Sequence, residues 1–190
     1  MTAPTATIER APQIATLLVA FASDPVNRWV YPDTDRYLAH FPELLQLVCA
    51  DAFAAGTADQ TAHGEGAAMW LPPGTPSDDD ALVDLVQRSV RVERHDEVFA
   101  FLERLNDHHP TGPHWYLPFM GVDPCHQGQG HGSWLLEHGL ARSDRDRLPA
   151  YLDATTPRNR ALYERHGFQV VGEVRGGGSP PMWAMLRPPR

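Results

Sequence analysis

Apolar positions along the first third of the chain recur at helical spacing. Ile14, Leu17, Leu18 and Phe21 fall on one face of a helix, and Ser23-Asp24-Pro25 ends it because proline cannot continue the hydrogen-bond ladder. Asp33 to Asp35 is the expected start of the next helix, with Tyr37, Phe41, Leu44, Leu45 and Val48 on its buried face. Thr5 to Arg10 reads as a short first strand. Thr61 to Leu71 reads as a hairpin with Gly64-Glu65-Gly66 in its middle and Ala67 to Leu71 as its second strand. After Pro72-Pro73-Gly74, the run Asp78-Asp79-Asp80 suits a helix N-terminus, where negative charge meets the positive end of the dipole. Leu82, Leu85, Val86, Val98, Phe101, Leu102 and Leu105 then predict one or two helices.

The second half alternates strands and helices. His114 to Val122 is a strand rich in aromatic residues, followed by Asp123-Pro124, a glycine-rich turn and a helix carrying Leu135, Leu136 and Leu140. Ala150 to Ala154 is a short strand, Arg158 to His166 a helix stopped by Gly167, and Phe168 to Val174 and Pro181 to Leu186 are the closing strands. This interleaving predicts an α/β or α+β fold on a mixed sheet, with residues 1–190 as one domain.

Composition narrows the function. The 42% hydrophobic and 21% charged fractions are those of an ordinary globular protein. No stretch approaches the roughly 20 apolar residues of a membrane span, and Met1 to Arg10 lacks a basic head followed by an apolar run. A cytoplasmic protein without a membrane partner is therefore expected. The net charge of −8 argues against nucleic acid and favours cationic substrates. All 16 basic residues are arginine. Cys49 and Cys125 are expected as free thiols, and neither they nor the ten histidines show metal-ligand spacing, so no metal is expected. His108-His109 reads as an inert loop pair.

The chemistry centres on Gln127-Gly128-Gln129-Gly130-His131-Gly132 between strand and helix. Glycines there let backbone approach a ligand and expose successive N–H groups, and the helix start adds its dipole, so the turn suits a pyrophosphate. A Rossmann site would want Gly-x-Gly-x-x-Gly early in the chain. A P-loop needs a lysine, and the chain has none.

This turn resembles the Gln/Arg-x-x-Gly-x-Gly/Ala signature of the GNAT superfamily of acetyl-CoA-dependent N-acetyltransferases. The resemblance continues through Met120-Gly121-Val122-Asp123-Pro124 before it and Leu162-Tyr163-Glu164-Arg165-His166-Gly167-Phe168 after it, the latter similar to the family's LYEKxGF element. Within the family the chain looks closest to the branch containing puromycin N-acetyltransferase. Ala20-Phe21-Ala22-Ser23-Asp24-Pro25, Ala68-Met69-Trp70, His126 to Gly130 and Pro157-Arg158-Asn159 carry that likeness.

The resemblance implies the GNAT fold: a mixed, mostly antiparallel sheet split by a V-shaped opening, with helices on both faces. It implies acetyl-CoA as cosubstrate, held by Met120, Gly121, Val122, Gln127, Gly128, Gln129, Gly130, His131, Gly132 and Ser133. Asn159 is a further candidate contact, because Thr156 stands where many members carry the CoA-contacting asparagine. Pro118 is compatible with the family's bulge in the fourth strand, and Tyr163 matches the tyrosine that protonates the departing thiolate. The general base stays open among Asp153, Glu93, Glu97, His114 and ordered water. Of Trp29, Tyr31, Phe41, Trp70, Trp115, Tyr116 and Phe119, two or three are expected to face an acceptor pocket, the rest the core. The expected reaction is direct acetyl transfer to a primary amine, most simply that of a small molecule, by a monomer or homodimer. An acetyltransferase of protein N-termini or lysines and a non-catalytic CoA-binding sensor are the rival readings.

Overall fold

The computed structural model describes residues 12–176 and 178–190; the strand expected over Thr5 to Arg10 lies outside them. A six-stranded sheet in the order β1-β2-β3-β4-β6-β5 organises the chain. Its strands are β1 (Ala58–Gln60), β2 (Gly66–Leu71), β3 (Trp115–Val122), β4 (Ala150–Ala154), β5 (Gln169–Val174) and β6 (Met182–Arg187). Every neighbouring pair is antiparallel except β3 with β4. The fold is the GNAT fold expected from the resemblance.

Helices cover both faces. On one side lie α1 (Pro12–Ala20) and α3 (Thr34–Val48), with α2 (Pro25–Val30) and α4 (Ala50–Ala54) following them in turn, and then α5 (Asp79–Ser89) and α6 (His95–Asn106). Leu17, Phe41, Leu45, Met69 and Val98 form the core of this layer. On the other side α7 (His131–Asp146) and α8 (Pro157–Arg165) bury Leu135, Leu136, Leu140 and Tyr163 against Trp70, Leu117 and Leu152. Gly139 of α7 sits directly over Trp70, and a Cβ added there would lie 1.9 Å from the indole Nε1. None of the described helices is long and apolar enough to cross a membrane.

Two sequence expectations change. The hairpin over Thr61 to Leu71 begins earlier: β1 ends at Gln60, and Thr61 to Glu65 are the connection. Thr61 holds that connection, since its hydroxyl donates to Glu65 (2.6 Å) and accepts the Gly66 N–H (3.0 Å). Ser23-Asp24-Pro25 ends one helix but also begins another. Asp24 Oδ1 accepts the N–H groups of Val26 and Asn27, each at 3.0 Å, with Pro25 at the first helical position. The acidic run after Pro72-Pro73-Gly74 starts a helix as expected, and of the one or two helices expected over Leu82 to Leu105 there are two, α5 and α6.

The centre of the sheet has a fault that makes the site. β3 and β4 pair only as far as Leu117 and Leu152, after which no further rung joins them. On its other edge β3 shifts register against β2, with Phe119 opposite Met69 but Tyr116 opposite Leu71. Pro118 falls inside that irregularity. Its missing N–H and fixed φ are tolerated at a bulge and would cost a ladder bond elsewhere. β3 is a central strand, so Pro118 marks the parting of the strands and not a sheet edge.

Candidate active site

Two clefts run into the molecule from the parted strands. The first, about 680 Å³, is lined by the end of β3, the glycine turn, the start of α7 and one side of α8. Met120, Gly121, Val122, Gln127, Gly128, Gly130, His131, Gly132, Ser133, Asn159 and Tyr163 all lie on its wall. Gln129 is the one predicted contact whose side does not line it.

The turn has the geometry of an anion cradle. Gly128 and Gly130 take φ of +80° and +90°, in the left-handed region, and a Cβ on either would meet no atom within 4 Å. Gly130 caps α7, and the first bond back to its carbonyl comes from Trp134 N–H at 3.0 Å. The N–H groups of His131, Gly132 and Ser133 precede that bond and open onto the cleft with the helix dipole behind them. Gln127 braces the turn by donating to the Val122 carbonyl (3.1 Å) and accepting from Arg158 (2.6 Å). Arg158, Arg165, His126 and His131 on the wall give the cleft a basic character that suits a phosphate-bearing ligand. Gly121 is a glycine for another reason: a Cβ there would meet Ala20 of α1 at 2.5 Å.

The second cleft is wider, about 1770 Å³, and its walls come from α2 to α6, β3 and β4. Five aspartates line it (Asp51, Asp78, Asp79, Asp80 and Asp153), and no arginine does. The first four are exposed at the rim, whereas Asp153 lies inside. Of the seven aromatic candidates, Tyr31, Tyr116 and Phe119 line this cleft; Trp29, Phe41, Trp70 and Trp115 do not. Among the candidate bases, Asp153 and His114 line it, while Glu93 and Glu97 are exposed elsewhere.

The clefts share four residues: Phe21, Met120, Asn159 and Tyr163. Tyr163 is buried in the α8 layer and reaches both. Burial and then the negative charge of Asp24 push its hydroxyl above the ordinary phenol range, so it holds its proton at any working pH. Thr156 caps α8 by accepting the Asn159 N–H at 3.1 Å, and its side chain borders the first cleft together with Asn159.

Residues 87–170 match the family model described as an acetyltransferase (GNAT) domain. Over those residues the chain is similar to the GNAT acetyltransferases. The chain is 27% identical over 192 residues to an uncharacterized N-acetyltransferase of Schizosaccharomyces pombe, a match covering 92% of the chain and 78% of the relative. Among solved structures it resembles a Corynebacterium glutamicum protein described as histone acetyltransferase HPA2 and related acetyltransferase. That likeness has a TM-score of 0.66 and 29% identity, over 99% of this chain and 95% of that one. The arylalkylamine N-acetyltransferase 2 of Aedes aegypti shares the fold with a TM-score of 0.68 at 15% identity, over 95% and 94% of the two chains.

Some residues of the site were not singled out from the sequence. Asp24 lines the first cleft, and besides capping α2 it accepts from Asn27 Nδ2 and from the Thr155 hydroxyl, tying α2 to the β4–α8 link. The Asp-Pro pair was the available signal, since aspartate before a proline is the usual way to begin a helix. His108 and His109 lie in a loop as expected, and His109 lines the wider cleft. Its ring packs edge-on to Tyr116 and to Tyr151, each with centroids 4.7 Å apart, and its Nε2 is 2.9 Å from that of His114. Burial, then the neighbouring His114, lowers its pKa to about 4, so it is neutral near pH 7.

Proposed function

We propose that this GNAT protein transfers the acetyl group of acetyl-CoA to the primary amine of a small molecule. The observation that carries the reading is the meeting of a basic, glycine-lined cleft with an acidic, apolar one at Tyr163. An anionic donor and a cationic acceptor would approach from opposite sides and meet where β3 and β4 part. In this reading the turn Gln127 to Gly132, with Ser133 and Arg158, holds the CoA pyrophosphate. The β3 edge from Pro118 to Val122, unpaired by β4, is left for the pantetheine arm.

The acceptor loses one proton to become a free amine, and its nitrogen attacks the thioester carbonyl carbon. A C–N bond forms, the C–S bond breaks, and the sulfur takes the Tyr163 phenolic proton. The nitrogen sheds its second proton, which restores the tyrosine through solvent. The balance is one amide, one thiol and one proton released.

A small acceptor with a bulky apolar body is favoured by the aromatic wall of Tyr31, Tyr116 and Phe119. The likeness of Ala20 to Pro25 and Pro157 to Asn159 to the puromycin N-acetyltransferase branch points the same way. A second reading, a protein N-terminus as acceptor, is favoured by the cleft's breadth, above the roughly 300–1,000 Å³ of most small-ligand sites. Thiol release from acetyl-CoA, measured with a panel of small amines and a panel of peptides, decides between them. Turnover with peptides alone would overturn the small-molecule reading, and no turnover with either would reduce the chain to a CoA-binding module.

A further inference from the structure

At the inner end of the wider cleft, four aromatic or imidazole rings surround one carboxylate. Tyr151 and Asp153 lie two residues apart on β4 and therefore on the same face, and the Tyr151 hydroxyl donates to Asp153 Oδ1 at 2.9 Å. Tyr116 pairs with Tyr151 in the β3–β4 register, their ring centroids 5.7 Å apart. His109 and His114 close the cluster against Tyr151. Asp153 Oδ2 is buried and accepts no hydrogen bond from any described residue.

An unpartnered carboxylate oxygen in such a place is expensive to bury. Burial, only partly offset by the Tyr151 hydrogen bond, raises the Asp153 pKa to about 7. The missing partner is a cation. The surrounding groups do not supply one: Tyr116 and Tyr151 are uncharged phenols, His109 is held neutral, and His114 points its Nδ1 at the Gly112 carbonyl and its Nε2 at His109. No arginine lines the cleft, and the chain contains no lysine.

We propose that Asp153 selects the acceptor. Its unpartnered Oδ2 receives the ammonium group of a lipophilic amine whose apolar body lies along the aromatic wall, and this favours amines with no anionic group beside the nitrogen. The inference rests on the reading of this cleft as the acceptor site. Position supports it, because Asp153 is the first β4 residue beyond the last rung with β3 and so stands at the vertex of the opening. The ammonium gives one proton to the carboxylate, leaving a neutral amine and a carboxylic acid, so charge and protons balance. An α-carboxylate on the acceptor would bring a second anion beside Asp153 and be rejected.

The test compares 2-phenylethylamine with phenylalanine, which differ by that carboxylate, by calorimetry at pH 8 in the presence of saturating CoA. The intact protein should bind the amine at least 10-fold more tightly than the amino acid. Asp153→Asn should weaken amine binding about 10- to 100-fold, the range for a hydrogen bond to a charged group. It should also narrow the gap between the two ligands, which a merely structural aspartate would not do. Affinity for CoA should stay within three-fold, with Asp153→Ala as the second variant should the asparagine fold poorly.

Equal binding of the two ligands to the intact protein, absence of amine binding, or undiminished binding by the folded variants overturns the proposal. Thiol release is followed separately. Amine binding that depends on Asp153 without any turnover would sink the acetyl-transfer reading alone, and turnover of amines that ignore Asp153 would sink this inference alone.

Discussion

Pro118 and Asp153 each stand one residue beyond the last rung that joins β3 to β4, the pair Leu117 and Leu152. One residue cannot donate a ladder bond and the other carries a carboxylate that a ladder bond does not need. Together they mark where the sheet stops being a wall and becomes a passage, with the two clefts meeting beside it.

Tyr163→Phe removes one oxygen and almost no volume. No hydrogen bond among the described residues involves that hydroxyl, whereas the ring packs on Phe168 with centroids 6.0 Å apart. The melting temperature should therefore hold within about 2 °C, a shift worth about 0.5–1 kcal/mol. With the phenol as general acid, kcat should fall about 100-fold, the lower end for such a group because a thiolate leaves readily. Measuring both on one preparation separates the roles, and an unaltered kcat with chemistry rate-limiting removes Tyr163 from the mechanism.

Gly130→Val places a branched side chain into the open first cleft at a φ of +90°. The backbone strain is about 1–3 kcal/mol, which a folded domain survives. CoA affinity should drop by at least 10-fold while the circular dichroism spectrum is retained. Unchanged affinity by calorimetry would displace the pyrophosphate from this turn.

Asp153 also makes stability depend on pH. Its folded pKa, about 7, lies above the ordinary aspartate value of 3.8, so between these values the folded state holds more protons than the unfolded chain. The sign follows: its contribution is fully present below about pH 4 and is lost as pH rises towards 7, by on the order of 4 kcal/mol. Asp153→Asn should flatten that slope and raise stability at pH 8. Chemical denaturation of both proteins from pH 4 to pH 8 reads the difference, and parallel curves would count against a buried carboxyl with an unpartnered Oδ2.

The opposite sign belongs to Asp144. Arg187, almost fully buried, grips it through two bonds of 2.8 and 2.9 Å, and the Arg190 N–H adds a third at 2.7 Å. The Arg187 hydrogen bonds, above all, lower its pKa. The stabilisation is present above the unfolded carboxylate pKa and disappears as pH falls through the folded one. Arg187→Ala should cost about 2 kcal/mol at pH 7, because Arg187 is buried while Asp144 keeps 30% of its side chain in solvent. Urea melts at pH 7 and pH 3 should show the variant's deficit shrinking in acid.

Much of the second half of the fold was legible because local signals and long-range order agree there. The turn at Gly128 and Gly130 needs positive φ, which glycine advertises, and Leu135, Leu136 and Leu140 keep helical period into the core. Pro118 by itself fitted either a bulge or an edge strand, and it was the resemblance that pointed to the bulge. The first half hid more. α2 is six residues long, too short for periodicity, and only its Asp24-Pro25 start announced it. β1 has three residues with no alternating pattern. The division of the aromatics between core and cleft, and the place of His109 against Tyr116 and Tyr151, depend on contacts between segments far apart in sequence, which no local pattern encodes. Asp153 could be named as a base candidate but not distinguished from Glu97, since its isolation is a property of the folded cleft.

The seat of Gly139 on Trp70 has a consequence well away from either cleft. α7 is a rigid rod of 16 residues whose first turn forms the anion cradle and whose middle rests on the indole with no clearance. Any side chain at 139 acts as a wedge under that rod, lifting it from the sheet and tilting its leading end. A screen for loss of function would thus recover substitutions at 139 beside those at Gly128 and Gly130, and a reader of contacts alone would file them as remote.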